Sequence, residues 1–194
     1  MMDSIIYQIQ ENILTKQELL KRNNILHDIE KAIQCIVNCF QNGKKVLICG
    51  NGGSAADAQH IAAELTGRFK LDRRALPAIA LTTDTSALTS ISNDYGFDDV
   101  FRRQLEGLAN DGDVVIGIST SGKSPNILRV FDEAKLRGAL SIALLGKGGG
   151  ECRQNADISI VVPSDDTPRI QETHILIGHI ICELVEKELQ NCKK

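Results

Sequence analysis

Residues 46–65 read VLICGNGGSAADAQHIAAEL. Val46–Cys49 is a continuous apolar run, the pattern of a strand buried on both faces. Gly50, Gly52 and Gly53 interrupt it. Beyond them Ala55, Ala58, Ala62 and Leu65 recur at helical spacing, a stripe that faces a sheet. Strand, glycine turn and helix in this order open a parallel α/β architecture.

Four more runs of the same kind follow: 76–83 (LPAIALTT), 113–120 (DVVIGIST), 140–147 (LSIALLGK) and 158–164 (ISIVVPS), the first strand itself spanning 44–50. Helical segments are expected at 54–66, 86–92, 99–109, 125–137, 149–155 and 168–190, with two amphipathic helices at 3–22 and 25–42. This alternation predicts a five-stranded parallel sheet flanked by helices on both faces. The 194 residues suit a single domain spanning 1–194, with N-terminal helices over 1–42 and the α/β core and last helix over 43–194.

Hydrophobic residues make up 42% and charged residues 24%, and the net charge is −3 with no long run of either sign. Neither a nucleic-acid surface nor a membrane surface fits that balance, and no segment reaches the ~20 apolar residues of a membrane span. The N-terminus lacks the basic and apolar regions of a secretory signal, so a cytoplasmic location is expected. The six cysteines (Cys35, Cys39, Cys49, Cys152, Cys182 and Cys192) form no C-x-x-C pair and read as small packed hydrophobes.

Glycine-rich turns follow three strands: GNGGSA, STSGKS and GKGGGE. Each feeds a helix N-terminus, where free backbone N–H groups favour an anion. Three such turns point to a phosphorylated ligand. Gly50, Gly52 and Ala55 fit the dinucleotide fingerprint, but that reading needs an acidic residue closing the second strand about 20 positions further on, and none does. The first one after the second strand, Asp84, falls well beyond that. Gly117–Ser124 matches a P-loop, G-x-x-x-x-G-K-[ST]. Ile118 nevertheless continues the strand through Gly117, and Ser124-Pro125 reads as a cap and first helical residue. The loop proper is then Ser119-Thr120-Ser121-Gly122. With Ser124 it offers four hydroxyls that can donate to phosphate oxygens. A nucleotide phosphotransferase is the alternative this motif keeps open.

Asp57, His60 and Glu64 share one stripe of the helix after Gly53. His60 and Glu64, one turn apart, can hold one metal or act as an acid–base pair. Two of the four histidines, His174 and His179, fall in the apolar last helix, where His174 suits a structural hydrogen bond. Gln171 and His179 are about 12 Å apart along an ideal helix. A single ion would bridge them only with ligands from a second helix.

Four spaced motifs, CGNGGSAADAQHIAAELTGRF, LTTDTSALTSISNDYGFDDVF, GISTSGKSPNI and RIQETHILIGHIICELVE, resemble the sugar isomerase (SIS) domain family over nearly the whole chain. Within it the chain is similar to the enzymes acting on sedoheptulose 7-phosphate. The resemblance implies an aldose–ketose isomerase that makes D-glycero-D-manno-heptose 7-phosphate for bacterial lipopolysaccharide or capsule. It also implies a homotetramer with active sites at subunit interfaces. The implied zinc ligands are His60, Glu64, Gln171 and His179. The implied substrate contacts are Asn51, Gly52, Gly53, Asn93, Asp94, Ser119, Thr120, Ser121 and Ser124, with Ser54 added at the helix start and Glu64 and Gln171 shared with the metal set. Glu64 is the expected base and His179 the expected acid. Lys123 stands where the family often has Asn and adds a cation beside the hydroxyl loop. Thr167-Pro168 stands where an Asp is frequent and reads as a cap and helix start. Some SIS relatives act without catalysis, by binding a replication initiator, and that is the alternative from another class.

Overall fold

All five apolar runs form strands of one parallel sheet, in the order β2-β1-β3-β4-β5. The structure, a computed structural model, describes residues 1–191. Cys192 lies outside the described residues; of the other five cysteines all are free, four of them buried. The elements run α1 (Met2–Leu20), α2 (Asn23–Gln41), β1 (Val46–Gly50), α3 (Gly53–Thr66), β2 (Ala78–Ala80), α4 (Thr85–Tyr95), α5 (Arg102–Leu108), β3 (Val114–Ser119), α6 (Pro125–Leu136), β4 (Leu140–Leu145), α7 (Cys152–Asn155), β5 (Ile158–Val161) and α8 (Thr167–Asn191). Among the described residues no helix is long and apolar enough to cross a membrane.

Strand alternation divides the core in two. Val46, Ile48, Val114, Ile116 and Ile142 pack under α2, α3 and α8, where Ile36, Ile61, Leu65, Ile177 and Ile181 meet them. Leu47, Cys49, Val115, Ala143 and Leu145 face the other way, against Leu105, Ile127, Val130 and Phe131 of α5 and α6. The register between β1 and β3 is Val46↔Val114 through Gly50↔Ile118, so the two strands end side by side. Their chains then part. From β1 the chain crosses to β2 on one side, and from β3 it crosses to β4 on the other. This reversal of winding is the point at which open parallel sheets take their ligands.

Two segments differ most from expectation. The strand expected over 76–83 contracts to Ala78–Ala80, because Pro77 has no N–H to give the ladder and the chain turns after Leu81. The helix expected over 149–155 is a 3₁₀ turn (Lys147–Gly149) followed by a single helical turn, since Gly148, Gly149 and Gly150 all adopt positive φ.

Candidate active site

The β1–α3 and β3–α6 loops border the crevice at the switch in strand order. Gly52 caps α3 at φ +55°, a conformation open to glycine at no steric cost. Gly50 is constrained differently: a Cβ there would lie 2.5 Å from the Ser54 carbonyl oxygen, so only hydrogen lets the turn close. Gly117 lies inside β3, and a Cβ on it would meet Phe131 Cζ at 2.6 Å. Its hydrogen makes room for α6 packing, so the P-loop match has no glycine where a phosphate loop would begin. Ser124 sits at the N-cap position with Pro125 next, but its hydroxyl makes no cap hydrogen bond. It meets Ser119 Oγ at 3.0 Å instead, and the Gly122 N–H donates to that same oxygen. The Lys123 N–H donates to Ser121 Oγ. Ser119 is therefore buried inside the loop it shapes, while the Thr120, Ser121 and Ser124 side chains are half-buried and Lys123 is exposed.

The third glycine turn has another role than expected. Gly122, at φ +64°, is so close to it that a Cβ would fall 1.9 Å from the Gly149 carbonyl oxygen. The Cys152 N–H donates to the Gly122 carbonyl at 2.9 Å. The GKGGG turn is thus a backing for the hydroxyl loop rather than a third anion cradle. The first and second turns are the two that face the crevice.

A second constellation lies on the polar flank of α3. His60 Nε2 is 3.1 Å from Glu64 Oε1 and 3.4 Å from His179 Nε2, so α3 and α8 together aim three side chains at one point. Ligand-type atoms of the three all lie within 4.8 Å of one another. Asp57, one turn earlier, is half-buried with Oδ2 unpaired, and burial raises its carboxyl above the ordinary range. The ring of Phe69 stacks on His179 at 5.5 Å. Phe69 is held by Glu186, which is 2% exposed and accepts backbone N–H bonds from Phe69, Lys70 and Leu71. Arg73 completes the anchor: Nε lies 2.8 Å from Glu186 Oε1, and its other nitrogens donate to the Glu64 and Leu65 carbonyls.

Gln171, on α8 eight residues before His179, reaches the start of α3. Its amide lies over Gly53, the first residue of α3, where a Cβ would be 2.4 Å from Gln171 Nε2. Asn93 and Asp94 occupy α4, a helix without a buried residue, and their exposed side chains bond to each other at 2.9 Å. Ser54 is buried. His174 is fully buried; its Nε2 meets the Leu145 carbonyl at 3.0 Å and its Nδ1 has no partner. Burial holds that imidazole down at about 4.

A SIS domain model matches residues 11–146. The chain belongs to the SIS domain family. Within that family it is 55% identical to the phosphoheptose isomerase of Sulfurimonas denitrificans, an alignment covering 94% of this chain and 93% of the relative. The solved phosphoheptose isomerase structures from Neisseria gonorrhoeae and Francisella tularensis match with TM-scores of 0.90 and 0.91 at 44% and 39% identity. They cover 95% and 96% of this chain and 98% of each of theirs. This SIS domain protein therefore groups with a family of phosphosugar isomerases.

Sequence reasoning missed Asn126, Phe69, Arg73 and Glu186. The amide of Asn126 exchanges two hydrogen bonds with that of Asn51, each 2.9 Å, across 75 residues. Its one legible signal was a polar side chain in the otherwise apolar start of α6. Glu186 reaches partners more than 100 residues away, and nothing local marks it.

Proposed function

We propose that the chain isomerises sedoheptulose 7-phosphate to D-glycero-D-manno-heptose 7-phosphate, supplying heptose for bacterial lipopolysaccharide or capsule. The observation that carries this reading is the convergence of His60, Glu64 and His179 from two helices. In the reaction a base removes a proton from C1 of the ketose, the enediol forms, and a proton returns to C2. The oxygen-bound proton moves from O1 to O2, leaving the aldehyde at C1. Glu64 is the group proposed to carry the carbon-bound proton, and His179 to serve the oxygens; each role is typically worth ~10²–10⁴ in rate.

Two imidazole nitrogens and a carboxylate oxygen are donor types that zinc takes, so His60, Glu64 and His179 fit the expected ion, with Gln171 the fourth ligand by resemblance. Zinc bound there would act as a Lewis acid toward the developing oxyanion of the substrate. The Asn51-Gly52-Gly53 turn, Ser54, and the loop Ser119-Thr120-Ser121 with Ser124 are proposed to hold the phosphate end by backbone N–H groups and hydroxyls. Asn93 and Asp94 are proposed to reach the sugar hydroxyls. Lys123 adds a positive charge at the rim. This SIS-fold reading favours catalysis over a regulatory binding role because three reactive side chains share one point.

A homotetramer with sites between subunits is part of the same proposal. Gly53 and Glu64 are separated by about 16 Å of helix, and α4 presents Asn93 and Asp94 to the outside. Both features suit a site completed by a second copy. Turnover of sedoheptulose 7-phosphate by the purified protein, read by product analysis, is the test. Glu64→Gln should lower kcat by at least ~10²-fold. Wild-type turnover in that variant would remove Glu64 from the chemistry, and no turnover in the unmutated protein would overturn the reaction.

A further inference from the structure

Asn51 opens the turn leaving β1, and Asn126 is the second residue of α6, which follows β3. These strands are neighbours, but α3 packs on one face of the sheet and α6 on the other. The crevice between them is therefore a seam where the two halves of the fold diverge. The reciprocal amide pair, Asn51 Nδ2 to Asn126 Oδ1 and Asn126 Nδ2 to Asn51 Oδ1, both 2.9 Å, crosses that seam.

Asn126 is 2% exposed, beside the apolar Ile127 and Val130. Packing alone would be served by an apolar side chain, and a buried amide is costly unless bonded. The pairing uses one N–H and one lone pair on each amide. On Asn51, which is only half-buried, it leaves one N–H and one lone pair unspent. Asn126 thereby fixes which side of the Asn51 amide is donor and which acceptor. It also fixes how far the Asn51-Gly52-Gly53 turn stands from Ser124, two residues before Asn126.

We infer that Asn126 is a positioning residue for the phosphate end of the substrate: it locks the two loops bordering the crevice into one spacing and sets the amide orientation of Asn51. This rests on the phosphosugar reading above. Asn126 itself need touch neither substrate nor the reacting carbons, so its loss acts on binding rather than on proton transfer.

The test is a double-mutant cycle of Asn51→Ala, Asn126→Ala and the pair together. It is read by KM and kcat with sedoheptulose 7-phosphate and by calorimetric affinity for inorganic phosphate. Asn126→Ala should raise KM and weaken phosphate binding by roughly 3- to 10-fold, the worth of about one hydrogen bond, with kcat within about threefold. The double variant should be no worse than the poorer single one, because the two side chains act as one unit. Asn126→Asp sets a carboxylate oxygen against Asn51 Oδ1 and adds a buried negative charge beside the anion loops, so it should weaken phosphate binding at least as much as Asn126→Ala. Asn126→Leu, which keeps the buried volume without the amide, covers the case in which the alanine variant does not fold. Unchanged KM and phosphate affinity with a lowered melting temperature, or losses that multiply in the double variant, would overturn the inference. If the unmutated protein binds phosphate without turning over the sugar, the isomerase reading fails while the clamp is still judged on phosphate affinity. No phosphate affinity in any variant overturns the clamp as well.

Discussion

His179 Nε2 lies 3.4 Å from His60 Nε2, although 119 residues separate the two in sequence. Their rings meet edge to face with centroids 5.0 Å apart. Two imidazole nitrogens this close share one proton or face one cation, and Glu64 beside them favours the cation. Zinc added to chelator-stripped protein at ~100 times its dissociation constant should raise the melting temperature by roughly 5–10 °C. Scanning calorimetry should show no such rise in His60→Ala or His179→Ala. A wild type indifferent to zinc would end the metal reading.

Gly53→Ala should separate activity from stability. The added methyl meets Gln171 Nε2, the end of a flexible side chain, rather than backbone. At a helix start Ala is no worse than Gly, so stability should stay within ~1 kcal/mol. Displacing the Gln171 amide should lower kcat/KM by at least ~10-fold through misplacement of the substrate. Full activity in this variant would dissociate Gln171 from the site.

His174 makes stability depend on pH. Burial holds the folded-state imidazole at about 4, against an ordinary 6.5. Between those values the unfolded chain binds the proton and the folded chain does not. The contribution is thus complete above pH 6.5 and is lost as pH falls toward 4, where the folded state begins to protonate as well. Over the whole window this amounts to ~3 kcal/mol. Urea midpoints at pH 7 and 4.5 should differ by less in His174→Asn than in wild type.

Glu186 should matter well beyond its own volume. Burial raises its carboxyl, but the N–H groups of Lys70, Phe69 and Leu71 and the nearby Arg73 outweigh that, and its value lies below the ordinary 4.5. Its stabilisation is therefore present above pH 4.5 and is lost as pH drops below it. Glu186→Gln turns an amide N–H toward donors and should cost ~2–3 kcal/mol. Faster proteolysis within 67–73 and loss of the Phe69 contact to His179 should accompany it. An unchanged denaturation midpoint would refute the anchoring role.

Helix α1 leaves Ile5, Ile6, Ile9 and Ile13 between 45% and 56% exposed. Contiguous apolar surface of this kind marks an interaction site. Ile9→Glu combined with Ile13→Glu should shift the protein to a smaller species by light scattering. An unchanged mass would remove this face from the proposed subunit contact.

The sheet was legible because double burial makes its strands continuous apolar runs, which few other environments demand. Boundaries were less so. The strand around Ala78 shortens through a proline without an N–H, and the stretch after Lys147 fails as a helix because three glycines take positive φ. Helix α4 runs to Tyr95, three residues beyond expectation, until Gly96 at φ +90° ends it. At the site, His60 and Glu64 could be paired from their spacing alone. His179 joined them on resemblance, and the packing of α8 against α3 makes the contact. Asn126 and Glu186 act across 75 and more than 100 residues, and hydrogen bonds of that span leave no periodicity to read.

Gly122, Gly149 and Gly150 touch through backbone atoms alone, with Gly150 as cramped as its neighbour: a Cβ there would sit 2.5 Å from the Gly122 carbonyl oxygen. Neither Gly122 nor Gly150 can gain a side chain without the facing backbone moving, and a Cβ on Gly149 would meet Arg153 Cβ at 2.8 Å. Diversification of the hydroxyl loop toward a differently shaped phosphate ester is thereby channelled to Lys123, the exposed position between Gly122 and Ser124. An evolved or engineered change in anion preference should surface there first, while the glycines behind it stay frozen as a set.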